Sequence, residues 1–274
     1  ISMNFFYKIR NRLRYLIQFF RYFLFSKHWR GFGIHSPFIY DFHRNILRYK
    51  GNDTNLMRIK KTRNSLKKSG RYLFTRDFGT GGNTEAKHHW ISVRKATKEM
   101  SISHKYGKIL FSLVRYVPVT NVLEIGTGIG VSTLYMAMAN PSATILSVEG
   151  CPQKAQFASE LFRRFGLKQI KVWTGEFDDV LPSVLKSNDR QLDLVFIDGN
   201  HREHSTIKYF EMIMPYLHND SLIVFDDIHW SKGMTDAWET IKKHDRVKVT
   251  IDLFRLGIVF VKNELSKQNF MIRY

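Results

Sequence analysis

Short apolar runs alternate with amphipathic stretches from Val117 to the end of the chain. Runs at 120–125, 143–149, 169–174, 192–198, 221–227, 247–252 and 255–262 predict strands. The first five stand about 20 to 30 residues apart, with room for a helix in each gap. That spacing is the pattern of βαβ units and a parallel sheet. Only Leu253 and Phe254 separate the last two runs, so these must pair as an antiparallel hairpin. The expected fold is α/β, a doubly wound sheet of seven strands, five parallel plus a closing antiparallel hairpin.

The front of the chain has a different rhythm. Phe5, Phe6, Ile9, Leu13, Leu16, Ile17, Phe20, Phe23 and Leu24 recur at helical spacing, on an arc of about 120°. Lys8, Arg10, Arg12, Arg14 and Arg21 flank that arc. Two placements compete for such a helix: docked on the protein's own core, or lying in the plane of an anionic membrane surface. Gly31, Gly33 and Pro37 then break helix before a short helical pattern to Tyr49. Residues 50–70 carry many Lys and Arg and few apolar side chains, the pattern of a solvated helix face or a mobile linker. Asp77-Phe-Gly-Thr-Gly-Gly-Asn predicts a flexible loop, and helical periodicity resumes from Ile91 to Tyr116. These features divide the chain into a mainly helical extension over 1–95 and a core domain over 96–274.

Composition sharpens that division. The 274 residues are 43% hydrophobic and 14% aromatic, enough to bury a sizeable core, which excludes a disordered or disulfide-stapled chain. A single cysteine, Cys151, excludes an internal disulfide and fits a reducing, cytoplasmic setting. No run of 18 apolar residues is present, so no transmembrane helix is expected, and no signal-peptide pattern is visible. The net charge of +19 is unevenly spread. Residues 1–120 hold 25 Lys and Arg against 5 Asp and Glu; the remainder holds 18 against 19. A basic front implies an anionic partner. The apolar stripe in residues 5–25 favours a membrane surface, peripherally bound, over nucleic acid, which needs no such stripe.

The candidate chemistry begins where the first core strand meets glycines. Asn121-Val-Leu-Glu-Ile runs into Gly126-Thr-Gly-Ile-Gly-Val-Ser-Thr. Glycines there let backbone approach a ligand, and the following helix offers free N–H groups. A dinucleotide fingerprint wants glycine at its sixth position, where this chain has Val131. The pattern is instead Glu124-x-Gly126-x-Gly128-x-Gly130. Over about residues 96–262 this motif and the strand order resemble the class I S-adenosylmethionine-dependent methyltransferases, whose core is Rossmann-like. The resemblance implies that the loop passes under the methionine part of S-adenosyl-L-methionine, with Glu124 near its amine. It implies that Glu149, ending the second core strand, accepts hydrogen bonds from the ribose hydroxyls. It places Phe177 and Asp178 around the adenine and Met100 in a segment that caps the cofactor.

Asp198 ends the fourth core strand, and Asp226 and Asp227 end the fifth. The C-terminal edges of parallel strands form the binding crevice of such sheets, so three carboxylates converge there and call for a cation or a proton. Oxygen ligands of this kind suit Mg²⁺ or another hard divalent ion. The three positions are similar to the metal ligands of the catechol and caffeoyl-CoA O-methyltransferases. His201 stands where those enzymes place a lysine base. His201 and His229 both lie just past strand ends, so with Asp198 they are the candidates to take a proton from the acceptor. Phe32-Gly-Ile-His-Ser-Pro-Phe and Asp77-Phe-Gly-Thr-Gly-Gly resemble the front part of uncharacterised bacterial methyltransferases and suggest a lid. The leading expectation is methyl transfer from S-adenosylmethionine to an oxygen, less readily a nitrogen, of a small or lipid-like acceptor. RNA methylation by the basic front half, and cofactor binding without turnover, are the competing readings.

Overall fold

The computed structural model describes residues 2–26, 36–77 and 87–274, with side chains described over 13–26, 36–75 and 88–274. The chain opens with helix α1 (Ser2–Phe25). Helix α2 (Pro37–Phe42) starts where Ser36 accepts from the Ile39 N–H and proline takes the first turn, and it continues as a π-helical turn over His43–Leu47. Asp53 caps α3 (Thr54–Leu66) by accepting from the Asn55 and Leu56 N–H groups. Strands β1 (Tyr72–Asp77) and β2 (Lys87–Ser92) form a separate antiparallel ribbon. Helices α4 (Val93–Glu99) and α5 (His104–Tyr116) lead into the core.

The core alternates as the apolar runs predict: β3 (Asn121–Ile125), α6 (Val131–Ala139), β4 (Thr144–Glu149), α7 (Pro152–Phe165), β5 (Ile170–Thr174), α8 (Phe177–Ser187), β6 (Leu192–Ile197), α9 (Glu203–Ile213), β7 (Leu217–Phe225), α10 (Lys232–Lys243), β8 (Val249–Asp252) and β9 (Gly257–Phe260). One strand of the core sheet, like the β1–β2 ribbon, was not foreseen. Strand β10 (Gln268–Met271) adds parallel to β8, so the sheet has eight strands, not seven, in the order β10-β8-β9-β7-β6-β3-β4-β5. The run Asn269-Phe-Met-Ile is short and one-sided because it sits at an edge, and that hides it in the apolar pattern. Only β9 runs against its neighbours, pairing antiparallel with both β7 and β8.

Period-two alternation sorts the core. Val122 of β3 faces one apolar layer with Ile39, Leu56, Ile59, Leu134 and Leu194. Leu123 and Ile125 face the other with Leu181, Phe210, Ile223 and Trp238. The first layer therefore takes in side chains from the basic front of the chain. The 50–70 segment departs from the solvated-face or linker reading. It folds as α3 and buries Leu56, Ile59 and even Arg63, whose guanidinium donates to the carbonyls of Ile102 (2.9 Å) and Thr97 (3.1 Å). The predicted loop around Phe78–Asn83 and most of the Phe32–Pro37 motif lie outside the described residues.

Candidate active site

The glycine loop forms the floor of the crevice. Gly126 and Gly128 both adopt positive φ, 105° and 55°. A side chain at Gly126 would strike the Asp198 carbonyl, whereas one at Gly128 would enter open space. The loop thus packs tightly on its lower side and is clear above, the shape that admits a ligand close to backbone. Gly130 ends the turn and leads into α6. Glu149 stands at the lip, accepting from the N–H groups of Gly128 (2.7 Å) and Cys151 (2.9 Å). Burial raises its pKa, with Lys154 and those two N–H groups opposing the rise.

Glu124 behaves differently from its expected place beside a ligand amine. It is fully buried, and hydroxyls of Ser132 (2.5 Å), Thr133 (2.6 Å) and Ser147 (2.6 Å) donate to its two oxygens. That carboxylate ties β3, β4 and the start of α6 together beneath the loop. Phe177 opens α8 and meets Tyr209 edge-on at 5.9 Å. Asp178 is exposed and pairs with Lys208 of α9 at 3.0 Å. Met100 ends α4, half exposed, on the segment that buried Arg63 holds from below.

The three aspartates converge as expected. The Asp198 N–H donates to Ile125 (2.8 Å) and the Asp226 N–H to Ile197 (2.9 Å), so backbone ladders set them side by side at the sheet edge. What the sequence did not reveal is Arg255. Its Nε and Nη2 each donate to Asp226 at 2.9 Å, and Nε lies 3.3 Å from Asp227. Asp226 is completely buried. Burial, then the neighbouring charges of Asp226 and Asp227, push the Asp198 pKa well up. The same burial and Asp226 lift Asp227 to about 7. Among the described residues no group of three or more His, Cys, Asp and Glu is arranged to hold a metal ion. Of the expected Mg²⁺ ligands Asp198, Asp226 and Asp227, the central carboxylate, Asp226, already has its fork filled by a guanidinium.

The histidines part ways. His201 Nε2 lies 3.6 Å from Asp198, and burial lowers its pKa, which keeps the ring neutral near pH 7. His229 is not at the rim. Its Nε2 bonds to Asp252 at 2.8 Å, its ring stacks on Phe254, and Nδ1 has no hydrogen-bond partner. His229 is buried although it stands two residues after Asp227, which adopts a positive φ of 54°. Helix α1 docks on the protein's own core, one of the two placements the sequence allows, but through a face that lies outside the apolar arc. Tyr15, Phe19 and Tyr22 gather round Phe254 at 5.1, 5.1 and 5.3 Å, and Tyr15 meets Trp230 at 6.4 Å. The Tyr22 hydroxyl donates to the Ile272 carbonyl at 2.5 Å. A cluster of aromatic residues at one helical face was the available signal.

The chain is similar to known proteins in sequence and in fold. Residues 123–228 match the profile of the family described as "Methyltransferase domain". A catechol O-methyltransferase of Niastella koreensis is 31% identical over 131 residues, covering 47% of this chain and 58% of that protein. The chain thus spans less than two thirds of the length of that relative. The structure of an O-methyltransferase from Bacillus cereus, solved in complex with SAH, covers 78% of this chain and 93% of its own at TM-score 0.54 and 18% identity. A putative caffeoyl-CoA O-methyltransferase from Staphylococcus aureus covers 61% and 88% at TM-score 0.53 and 21% identity. By its matched profile over residues 123–228 the chain is similar to methyltransferase domains, and its sheet order and glycine loop give it their Rossmann-like fold.

Proposed function

We propose that the protein transfers a methyl group from S-adenosyl-L-methionine to a hydroxyl oxygen of a small acceptor. The observation that carries this reading is the shared sheet edge: the glycine floor and Glu149 lie at the ends of β3 and β4, and Asp198 with His201 lies beside them after β6. The open space above Gly128 suits the methionine arm, and the rim carboxylate of Glu149 suits two ribose hydroxyls. Phe177 offers an apolar face for the adenine, and Asp178 can exchange its exposed Lys208 pair for the exocyclic amine. Met100, half exposed after α4, is the candidate to cap the cofactor. Glu124 contributes by holding the loop's shape.

The cofactor's sulfonium supplies the driving force. The acceptor oxygen forms a bond to the methyl carbon, the carbon–sulfur bond breaks, and its electron pair neutralises the sulfur. The protein aligns the two and removes the hydroxyl proton. Neutral His201, beside Asp198, is the group placed to accept it. With Asp226 paired to Arg255 and the pKa values of Asp198 and Asp227 raised, the acceptor end carries little net charge, which suits a neutral hydroxyl-bearing acceptor. Incubation with methyl-labelled cofactor and a panel of phenolic and catechol acceptors tests the reading. Label should appear as a methyl ether, and His201→Ala should slow it by about 10²-fold or more. Label appearing only on RNA would overturn the oxygen-acceptor assignment.

A lipid-like acceptor, or a site working at a membrane surface, is favoured by the outer face of α1. With Tyr15, Phe19 and Tyr22 turned to the hairpin, Leu13, Leu16, Ile17, Phe20, Phe23 and Leu24 face outward, Phe20 at 64% and Leu24 at 71% exposure. Arg21 is exposed beside them. An apolar stripe edged with cations is what adsorption to an anionic leaflet requires. Among the described residues no helix is long and apolar enough to cross a membrane.

A further inference from the structure

The cluster at the acceptor end has a cation already built into it. Arg255 follows Phe254, whose φ of 70° turns the β8–β9 connection sharply, and the Leu253 N–H closes that turn on the Leu256 carbonyl at 2.9 Å. Its own carbonyl accepts from Ile228 at 3.2 Å, which fixes the turn against the segment after β7. From that anchored backbone the guanidinium reaches Asp226 through two parallel bonds and Asp227 through a third contact. A planar fork matched to a carboxylate is the most directional pairing a protein has, and Asp226 has no exposure to water through which to exchange it. A divalent ion taking the same carboxylate would leave both Arg255 and its positive charge stranded beside the new one.

We propose that Arg255 is the resident cation of this site and stands in place of a divalent metal, so that the reaction proceeds without one. The proposal rests on the methyl-transfer reading for its chemistry but on the Arg255 geometry for its substance. Arg255 is a positioning residue: it balances Asp226, holds Asp227 in its turned conformation and thereby fixes the wall against which the acceptor lies. The proton of the acceptor hydroxyl then passes to a side chain, not to a metal-bound oxygen.

Mn²⁺ titration of chelator-treated protein, followed by calorimetry and by the electron-spin signal of free Mn²⁺, tests this without acceptor or methyl donor. Wild-type protein should show no saturable Mn²⁺ uptake, and Arg255→Ala, checked as folded by circular dichroism, should gain one site per chain. One Mn²⁺ bound per wild-type chain and lost in Asp226→Asn would overturn the proposal. So would a folded Arg255→Ala protein that still binds no Mn²⁺, because the carboxylates would then not be a cation site at all. The wild-type titration decides even if the arginine variant fails to fold. Failure here leaves the methyl-transfer reading intact, whereas absence of cofactor binding would strike that reading alone.

Discussion

Two buried glutamates at adjacent strand ends show how little residue type settles and how much contact does. Glu124 is closed off by three hydroxyls, whereas Glu149 reaches only backbone N–H groups at the lip of the crevice. Glu149→Ala should therefore weaken S-adenosylhomocysteine binding by about 1.5–3 kcal/mol, the value of hydrogen bonds to a charged group, measured by calorimetry. The pH dependence follows from the same carboxylate. Burial holds its pKa above the usual range, and the ionised form is the better acceptor, so affinity should fall as pH is lowered through that raised pKa. Glu149→Gln should flatten the profile. The glycines and Glu149 were legible in sequence because their work is local: a turn, a strand end. Arg255 was not, because it reads as one more strand residue until the hairpin folds it onto Asp226, 29 positions earlier.

At the scale of the element, α1 and α3 answer questions that helical periodicity alone left open. For α1, the face of Tyr15, Phe19 and Tyr22 docks on Phe254, and the apolar stripe is left outside. Replacing Leu16, Phe20 and Leu24 together by Gln should leave the docked face untouched and abolish co-sedimentation with anionic vesicles. Equal, weak sedimentation of wild-type protein on anionic and neutral vesicles would contradict the membrane reading, and a dimer broken by the same triple variant would assign the stripe to a second copy. For α3, a run of charge concealed a structural arginine. Arg63→Ala removes two buried hydrogen bonds, to Ile102 and Thr97, and should cost about 2–4 kcal/mol in denaturant unfolding. Charge counting could not find it, since only burial by α4 and α5 distinguishes Arg63 from its solvated neighbours.

Across the whole molecule, the alternating apolar runs predicted the sheet and its parallel order because fully buried strands leave so plain a mark. The edge strand β10, the β1–β2 ribbon and the docking of the basic front onto the first core layer were hidden, because each depends on long-range pairing that local pattern does not carry. What the assembled fold adds is convergence: a cradle at the ends of β3 and β4, a wall of aspartates held by Arg255 at the ends of β6 and β7, and an aromatic roof from α1. The central claim is that the cradle holds S-adenosylmethionine. Calorimetric titration of the wild-type protein with S-adenosylhomocysteine tests it most directly: one molecule should bind per chain, with Glu149→Ala markedly weaker, and a folded wild-type protein that binds neither S-adenosylhomocysteine nor S-adenosylmethionine would contradict the account.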